Sequence, residues 1–274
     1  MIPTFLVSQL VRQHCTVALG GDGGDEVFGG YGHYSHLQWM QKKLGLIPRP
    51  LRNGIALAAE KLLPVGVKGR NWLQGLGADL DKGLPLIASF FDASTRGSLL
   101  AAQSGWHAQA EDVLLSRVPV HPDLLQRATR MDFANLAENI LVKVDRVSML
   151  NSLELRAPLL DYRLIEFAFG KVPSHLKATA QDKKILLKRL TARVLPPGFD
   201  RQRKQGFSIP LVEWLKCGAF KVLFQEVLSD PKCSFDARTV NGLLRGQEQG
   251  RSNGDRLFAL VLFELWRREY GVGS

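Results

Sequence analysis

Apolar positions along the chain recur mostly at helical spacing. Residues 3–14 place Phe5, Leu6, Leu10 and Val11 at such spacing, and Pro3 suits a first turn. The opening segment is therefore expected to be an amphipathic helix. Thr16–Leu19 follows as a short unbroken apolar run, the pattern of a buried parallel strand. It ends in GGDGGDEVFGGY, residues 20–31. Helix, buried strand and Gly-rich turn are the parts of an α/β unit, though no other segment reads as convincingly as a central strand. From Tyr34 to Asp112 the pattern is helical, with breaks expected at Pro48, Pro50, Pro64 and Pro85 and with Trp39, Trp72 and Trp106 as packing residues. A turn is expected at Pro119, Pro122 and Asp123. Residues 131–150 carry a stripe of Phe133, Leu136, Ile140, Val144 and Val147, the mark of one long helix. ELRAPLLDYRL turns the chain around Pro158, and helices are expected over 164–169, 183–195 and 256–270. The expected class is α/β: an edge over 1–33, a helical region over 34–130, and a helical region with a basic loop over 131–274.

Composition adds limits more than direction. At 274 residues, 45% hydrophobic and 23% charged, the chain can bury a sizeable core without staples. Cys15, Cys217 and Cys233 form no CxxC pair and read as reduced thiols, pointing to a cytoplasmic protein. The N-terminus lacks a basic leader and cleavage site, and no apolar run approaches the ~20 residues of a membrane span, so no membrane partner is expected. The net charge of +10 does suggest an anionic partner: nucleic acid, a lipid surface or a phosphate-bearing small molecule. More than half of it lies in residues 182–204, where eight Lys and Arg face two Asp. The helical part of that segment reads as a solvated face, and Arg201, Arg203 and Lys204 in RQRKQGFSIP as a phosphate-facing loop. No helix-turn-helix or base-stacking motif is visible, which makes nucleic acid the weakest reading.

Candidate chemistry centres on the acidic glycine loop. Glycines after a strand let the backbone turn and approach a ligand, and strand C-termini are where α/β sheets bind them. The loop is neither a Walker A motif nor a GxGxxG fingerprint. Asp22, Asp25 and Glu26 would repel a bare phosphate but suit a phosphate-borne Mg²⁺ or a substrate ammonium. The structural alternative is a tight turn whose acids cap the next helix. Lys143 and Arg146, three apart on one helix face, could grip a pyrophosphate or simply be solvated. Glu154 and Arg156 read as a structural ion pair. His33 and His36 have an i,i+3 spacing that metals use, but nothing completes such a site, so no resident metal is expected.

Taken together, IPTFLVSQL, LGGDGGDEVFGGY, LVKVDRVSMLNSLELRAPLLD, LPPGFDRQRKQGFSIPLVEW and LFALVLFELW resemble, in one collinear order, the C-terminal synthetase domain of glutamine-dependent asparagine synthetases. The β-lactam synthetases share that fold but fit the loop less well. The resemblance implies the mostly helical later part of an adenine-nucleotide alpha hydrolase-like (ATP pyrophosphatase) domain with a partial parallel sheet. It implies ATP and Mg²⁺, an aspartyl-adenylate, and ammonia that displaces AMP to give asparagine. On it, Gly20 and Gly21 line the ATP site and Asp22 supports formation and aminolysis of the adenylate. Asp25 holds the substrate amino group or the metal, and Tyr31 closes the pocket. Arg146 contacts pyrophosphate with Lys143 beside it, and the 201–204 loop helps neutralise phosphates. Two departures stand out: Gly20 replaces the usual Ser, and neither an SGGxDS pyrophosphate loop nor a glutaminase domain with its N-terminal Cys is present. The expectation is a C-terminal synthetase part, inactive alone, whose missing half comes from an upstream companion polypeptide. The competing readings are a non-catalytic remnant or an amidotransferase acting on another carboxylate.

Overall fold

The computed structural model describes residues 1–44, 46–78, 80, 90–100, 121–199 and 209–272. Trp106, Pro85 and the basic loop with Arg201, Arg203 and Lys204 lie outside the described residues. The chain forms two units. The first takes in the described residues of Met1–Leu46, Leu80–Leu84 and Asp112–Ile209, the second those of Ile47–Asp79, Pro85–Glu111 and Pro210–Ser274.

In the first unit, α1 (Ile2–Arg12) leads into β1 (Val17–Leu19) and then α2 (Gly24–Phe28). β1 pairs in parallel with β2 (Glu154–Arg156), register Val17 to Glu154 and Leu19 to Arg156. The second strand is the ELR segment, which lacks the apolar run by which a buried strand is recognised. Its Glu154 and Arg156 do form the expected ion pair, Nε to Oε1 at 2.9 Å, on the exposed side of the strand. β1 itself is not a buried strand among the described residues: Leu19 is 74% exposed. The apolar stripe of α1 also faces outward, with Phe5, Leu6 and Leu10 exposed, and its buried residue is Ser8. A small side chain lets α1 lie close on the helix that precedes β2.

That preceding helix is not one smooth rod. α7 (Leu124–Leu136) passes through a π-turn, Ala137–Leu141, into α8 (Val142–Met149). π-turns of this kind occur often at functional sites. Asp123 accepts the Gln126 amide at 2.9 Å and so caps α7. Leu136 and Val147 of the expected stripe are buried. After β2 the chain makes a 3₁₀ turn at Pro158–Leu160, then α9 (Tyr162–Gly170), α10 (Ser174–Lys177) and α11 (Ile185–Val194). Val27 and Phe28 of α2 pack with Ala168, Val172, Phe133, Leu159 and Leu186 directly beneath the glycine loop. Trp39, on α3 (Gly32–Leu44), is not a core residue: it is 37% exposed and stacks on His36.

The second unit packs α4 (Arg49–Leu62), α5 (Arg70–Gly75) and α6 (Ala93–Leu99) with α12 (Leu211–Trp214), α13 (Ala219–Ser229), α14 (Ala237–Glu248) and α15 (Gly254–Glu269). Pro50 sits in the first turn of α4, where a missing amide hydrogen costs nothing, and so does not break it. The core is Phe224, Val227 and Leu228 against Val240, Leu243, Leu257 and Leu260. Buried Arg70 holds this unit's loops together: its guanidinium donates to the Leu63 carbonyl at 2.8 Å and to the Asp92 carboxylate. Burial alone would raise the Asp92 pKa, but Thr95 N–H, Arg70 and Ser94 all donate to it and hold it below its ordinary value. Arg70→Met would strand a half-buried carboxylate, and is expected to cost about 3–5 kcal/mol in urea unfolding at pH 7. Because the folded Asp92 pKa is depressed, that contribution is complete above the ordinary aspartate range. It should fade as pH falls through and below that range.

Candidate functional site

The site is built where β1 ends. Gly20 N–H donates to Arg156 O at 2.7 Å, extending the ladder one residue into the loop. Asp22 turns back over this stretch, so that a Cβ on Gly20 would lie 3.0 Å from Asp22 Oδ2. Glycine in place of serine thus gives the Asp22 carboxylate room at the strand end. Asp22 is half-buried, and no hydrogen bond or ion pair engages its carboxylate among the described residues.

The acids of the loop do not cap α2. Its N-cap is Gly23, which makes no side-chain cap hydrogen bond. Asp25 instead pairs with Lys184, Oδ1 to Nζ at 2.8 Å. Gly30 makes room for this pair: a Cβ there would stand 1.8 Å from Asp25 Oδ1 and 2.2 Å from Lys184 Cε. Lys184 has φ 52, a left-handed backbone that costs a non-glycine residue about 1–3 kcal/mol. Its amide donates to Gly29 O at 3.3 Å, and the preceding residues close a small antiparallel bridge between Ala178 and Lys183. The resemblance gives Asp25 the substrate amino group or the metal; in the structure its carboxylate pairs with the chain's own Lys184. Lys184 belonged to a charge run that read as solvated face, so spacing alone did not single it out.

Glu26 is 3% exposed and accepts a hydrogen bond from Tyr31 Oη. Burial pushes the Glu26 carboxyl above its usual range despite that bond, and burial together with Glu26 raises the Tyr31 pKa. The Tyr31 ring stacks on His33 at 5.4 Å. His33 Nε2 and Tyr34 Oη both meet Asp132 Oδ2 of α7, at 2.8 and 2.6 Å. His33 and His36 therefore do not converge on a metal: His33 goes to Asp132 and His36 to Trp39. Asp132, like Lys184, had no local sequence signal, because its partners are about a hundred residues away.

Lys143 and Arg146 lie on α8, the helix joined to β2. Arg146 is exposed, Lys143 half-buried, and neither is hydrogen-bonded or ion-paired to the glycine loop among the described residues. The structure thus gathers Gly20, Gly21, Asp22, Asp25 and Tyr31 in one loop and adds Lys184, while the two α8 cations remain uncommitted. A cavity of about 390 Å³ opens in the second unit beside Leu215, Lys221, Gln247 and Arg251, and includes none of these residues. No group of three or more His, Cys, Asp or Glu able to hold a metal forms among the described residues. One open carboxylate, Asp22, fits a Mg²⁺ that arrives with phosphates, an ion that takes one or two protein carboxylates and fills its shell otherwise.

A parallel strand pair ending in an acidic glycine loop, set among helices, defines a mostly helical α/β protein. The particular kind is given by its relatives. The asparagine synthase family model matches residues 1–268, and the chain belongs to that family. It is 29% identical over 271 residues to putative glutamine-hydrolysing asparagine synthetases of Mycobacterium bovis and Mycobacterium tuberculosis, covering 97% of this chain and 41% of theirs. Asparagine synthetase [glutamine-hydrolyzing] 1 of Bacillus subtilis is 29% identical over 221 residues, 78% of this chain and 34% of its own length. The chain therefore spans well under half the length of these relatives. No helix of the described residues is long and apolar enough to cross a membrane.

Gly30→Ala should displace the Asp25–Lys184 pair and cost about 1–3 kcal/mol, the usual penalty of overpacking, in chemical unfolding. Tyr31→Phe leaves the buried Glu26 carboxyl without its donor, with an expected loss of about 1–3 kcal/mol by the same measurement.

Proposed function

We propose that this chain forms the carboxyl-activating part of an asparagine-synthetase-type ligase, with ATP and aspartate as substrates. The Asp25–Lys184 pair in the glycine loop carries the reading. It places a cation among acids at a strand C-terminus, where a polyphosphate needs positive charge and Mg²⁺ needs a carboxylate. The aspartate side-chain carboxylate attacks the α-phosphorus of ATP, and pyrophosphate leaves. Ammonia then attacks the aspartyl-adenylate carbonyl, the bond to AMP breaks, and asparagine forms. Bound Mg²⁺ supplies charge neutralisation on the phosphates. The Gly20 and Gly21 backbone would line the nucleotide, and Asp22 would hold the metal ion that the nucleotide carries. Lys184 is free to exchange Asp25 for phosphate oxygens as substrate enters, releasing Asp25 for the amino group of aspartate. Arg146 and Lys143 take the departing pyrophosphate, and Tyr31 closes the pocket.

We further propose that a companion segment completes the sheet, a reading supported by the exposed apolar faces of α1 and β1. Ammonia would come from a glutaminase domain outside this chain.

Isothermal titration should show Mg-ATP binding to the purified chain, weakened at least tenfold in Lys184→Ala. Asp22→Asn should bind ATP with little response to Mg²⁺. Aspartate-dependent ATP–pyrophosphate exchange should be undetectable for the chain alone. It should appear when the remaining synthetase segment is co-expressed with it, and Arg146→Glu should abolish it there. Absence of any nucleotide binding would overturn the reading.

A further inference from the structure

Lys177 lies outside every motif considered so far, yet its side chain is fully buried. The Nζ donates to Gln126 Oε1 at 3.2 Å and sits 4.3 Å from the centre of the Phe169 ring. Arg130 competes for both partners. Its NH1 donates to the same Gln126 oxygen at 2.9 Å, its NH2 to Phe169 O at 2.9 Å, and its guanidinium lies 4.9 Å from the same ring. Gln126 is itself fixed by donating from Nε2 to Val172 O at 3.0 Å. Two cations thus share one neutral acceptor and one aromatic face. The nearby carboxylate, Asp123, is engaged in capping α7.

The backbone at Lys177 is what touches the site. Gly29, at φ +73, lies against it so closely that a Cβ would come within 3.1 Å of the Lys177 carbonyl carbon and Cβ. From Lys177 the chain enters the Ala178–Lys183 bridge and reaches Lys184, whose amide returns to Gly29 O and whose ammonium returns to Asp25. The base of the arm that carries Lys184 is therefore pinned to α7 by the Lys177 amine and stacked under the exit of the glycine loop.

We propose that Lys177 is the positioning residue of this site: its buried amine anchors the 177–184 arm to Gln126 and so holds Lys184 on Asp25. The proposal rests on the reading of the glycine loop as the ATP site. A second consequence follows from the crowding. Burial, then the Arg130 charge, bring the Lys177 pKa down to about 7, with Asp123 opposing. Arg130 and Asp123 on α7 are the charged groups facing it, and His175 on its own element is exposed. An unfolded lysine keeps its proton into the ordinary lysine range, so above about pH 7 the unfolded chain binds more protons. Stability should therefore rise with pH from about 7 upward.

The test compares wild type with Lys177→Met. Methionine fills the volume and removes a polar group from the core, so Tm at pH 7 is expected to hold or rise. Amide hydrogen exchange at Gly30 and Lys184 should nonetheless speed up at least tenfold, Mg-ATP affinity should fall at least tenfold, and the rise of Tm with pH above 7 should flatten. A loss of loop protection in step with lowered Tm would overturn the proposal, making Lys177 a core filler. Unchanged exchange and affinity would overturn it equally. Should Lys177→Met not fold, Arg130→Met decides: removing the competing cation should move the onset of the pH-dependent rise upward, and an unmoved onset refutes the coupling. Hydrogen exchange does not need nucleotide. If wild type fails to bind Mg-ATP, the ATP reading falls while the positioning role is still decided.

Discussion

The ion pair between Asp25 and Lys184 is the contact on which the site depends. It joins a loop at the end of β1 to an arm more than 150 residues later, and it exists only because Gly30 presents no side chain between them. Both charges are partly withdrawn from water, so each needs the other or a ligand of the same sign as its partner. That requirement makes the pair a natural exchange point. On the proposed reading, a polyphosphate would replace the carboxylate on Lys184 and an amino group the ammonium on Asp25, leaving neither charge unmatched.

Helix α7 is the support behind this pair. Its Asp132 receives Tyr34 and His33 at the loop's exit, and its Gln126 receives Lys177 at the base of the arm. One helix thus fixes both sides of the contact by hydrogen bonds that apolar packing could not direct. The π-turn that follows passes the same helix on to α8, which carries Lys143 and Arg146 and leads through β2 back to Gly20. Loop, arm and the helix carrying Lys143 and Arg146 therefore share one backing element.

The apolar residues of α1 and β1 show a different constraint. Exposed Phe5, Leu6, Leu10 and Leu19 form faces whose sequence pattern is that of a core. Large exposed apolar patches are uncommon on soluble proteins, and the chain spans 41% of the length of its mycobacterial relatives. The second unit has a buried core of Phe224, Val240 and Leu257 and loops tied by Arg70, and it too leaves apolar residues exposed, Leu62, Val222 and Trp266 among them.

Much of this was legible in the sequence. Helical periodicity located α1, α9, α11 and α15 to within a few residues, since each carries its apolar stripe locally. The glycine loop announced itself through composition, and the collinear motifs pointed to the family that the comparisons then established. What the sequence could not show was whatever depended on distant partners. β2 lacks a strand's apolar run because parallel pairing to β1 uses its backbone, leaving Glu154 and Arg156 free to face solvent. Asp132, Lys177 and Lys184 read as ordinary charges. Their roles come from desolvation and polar contacts with groups 51 to 159 residues away, and a one-dimensional pattern does not carry those distances. Local chemistry determined which residues carry charge and where glycine lets the backbone turn. Only the tertiary structure decided which of them meet, because burial makes every unmatched charge seek its partner across the fold.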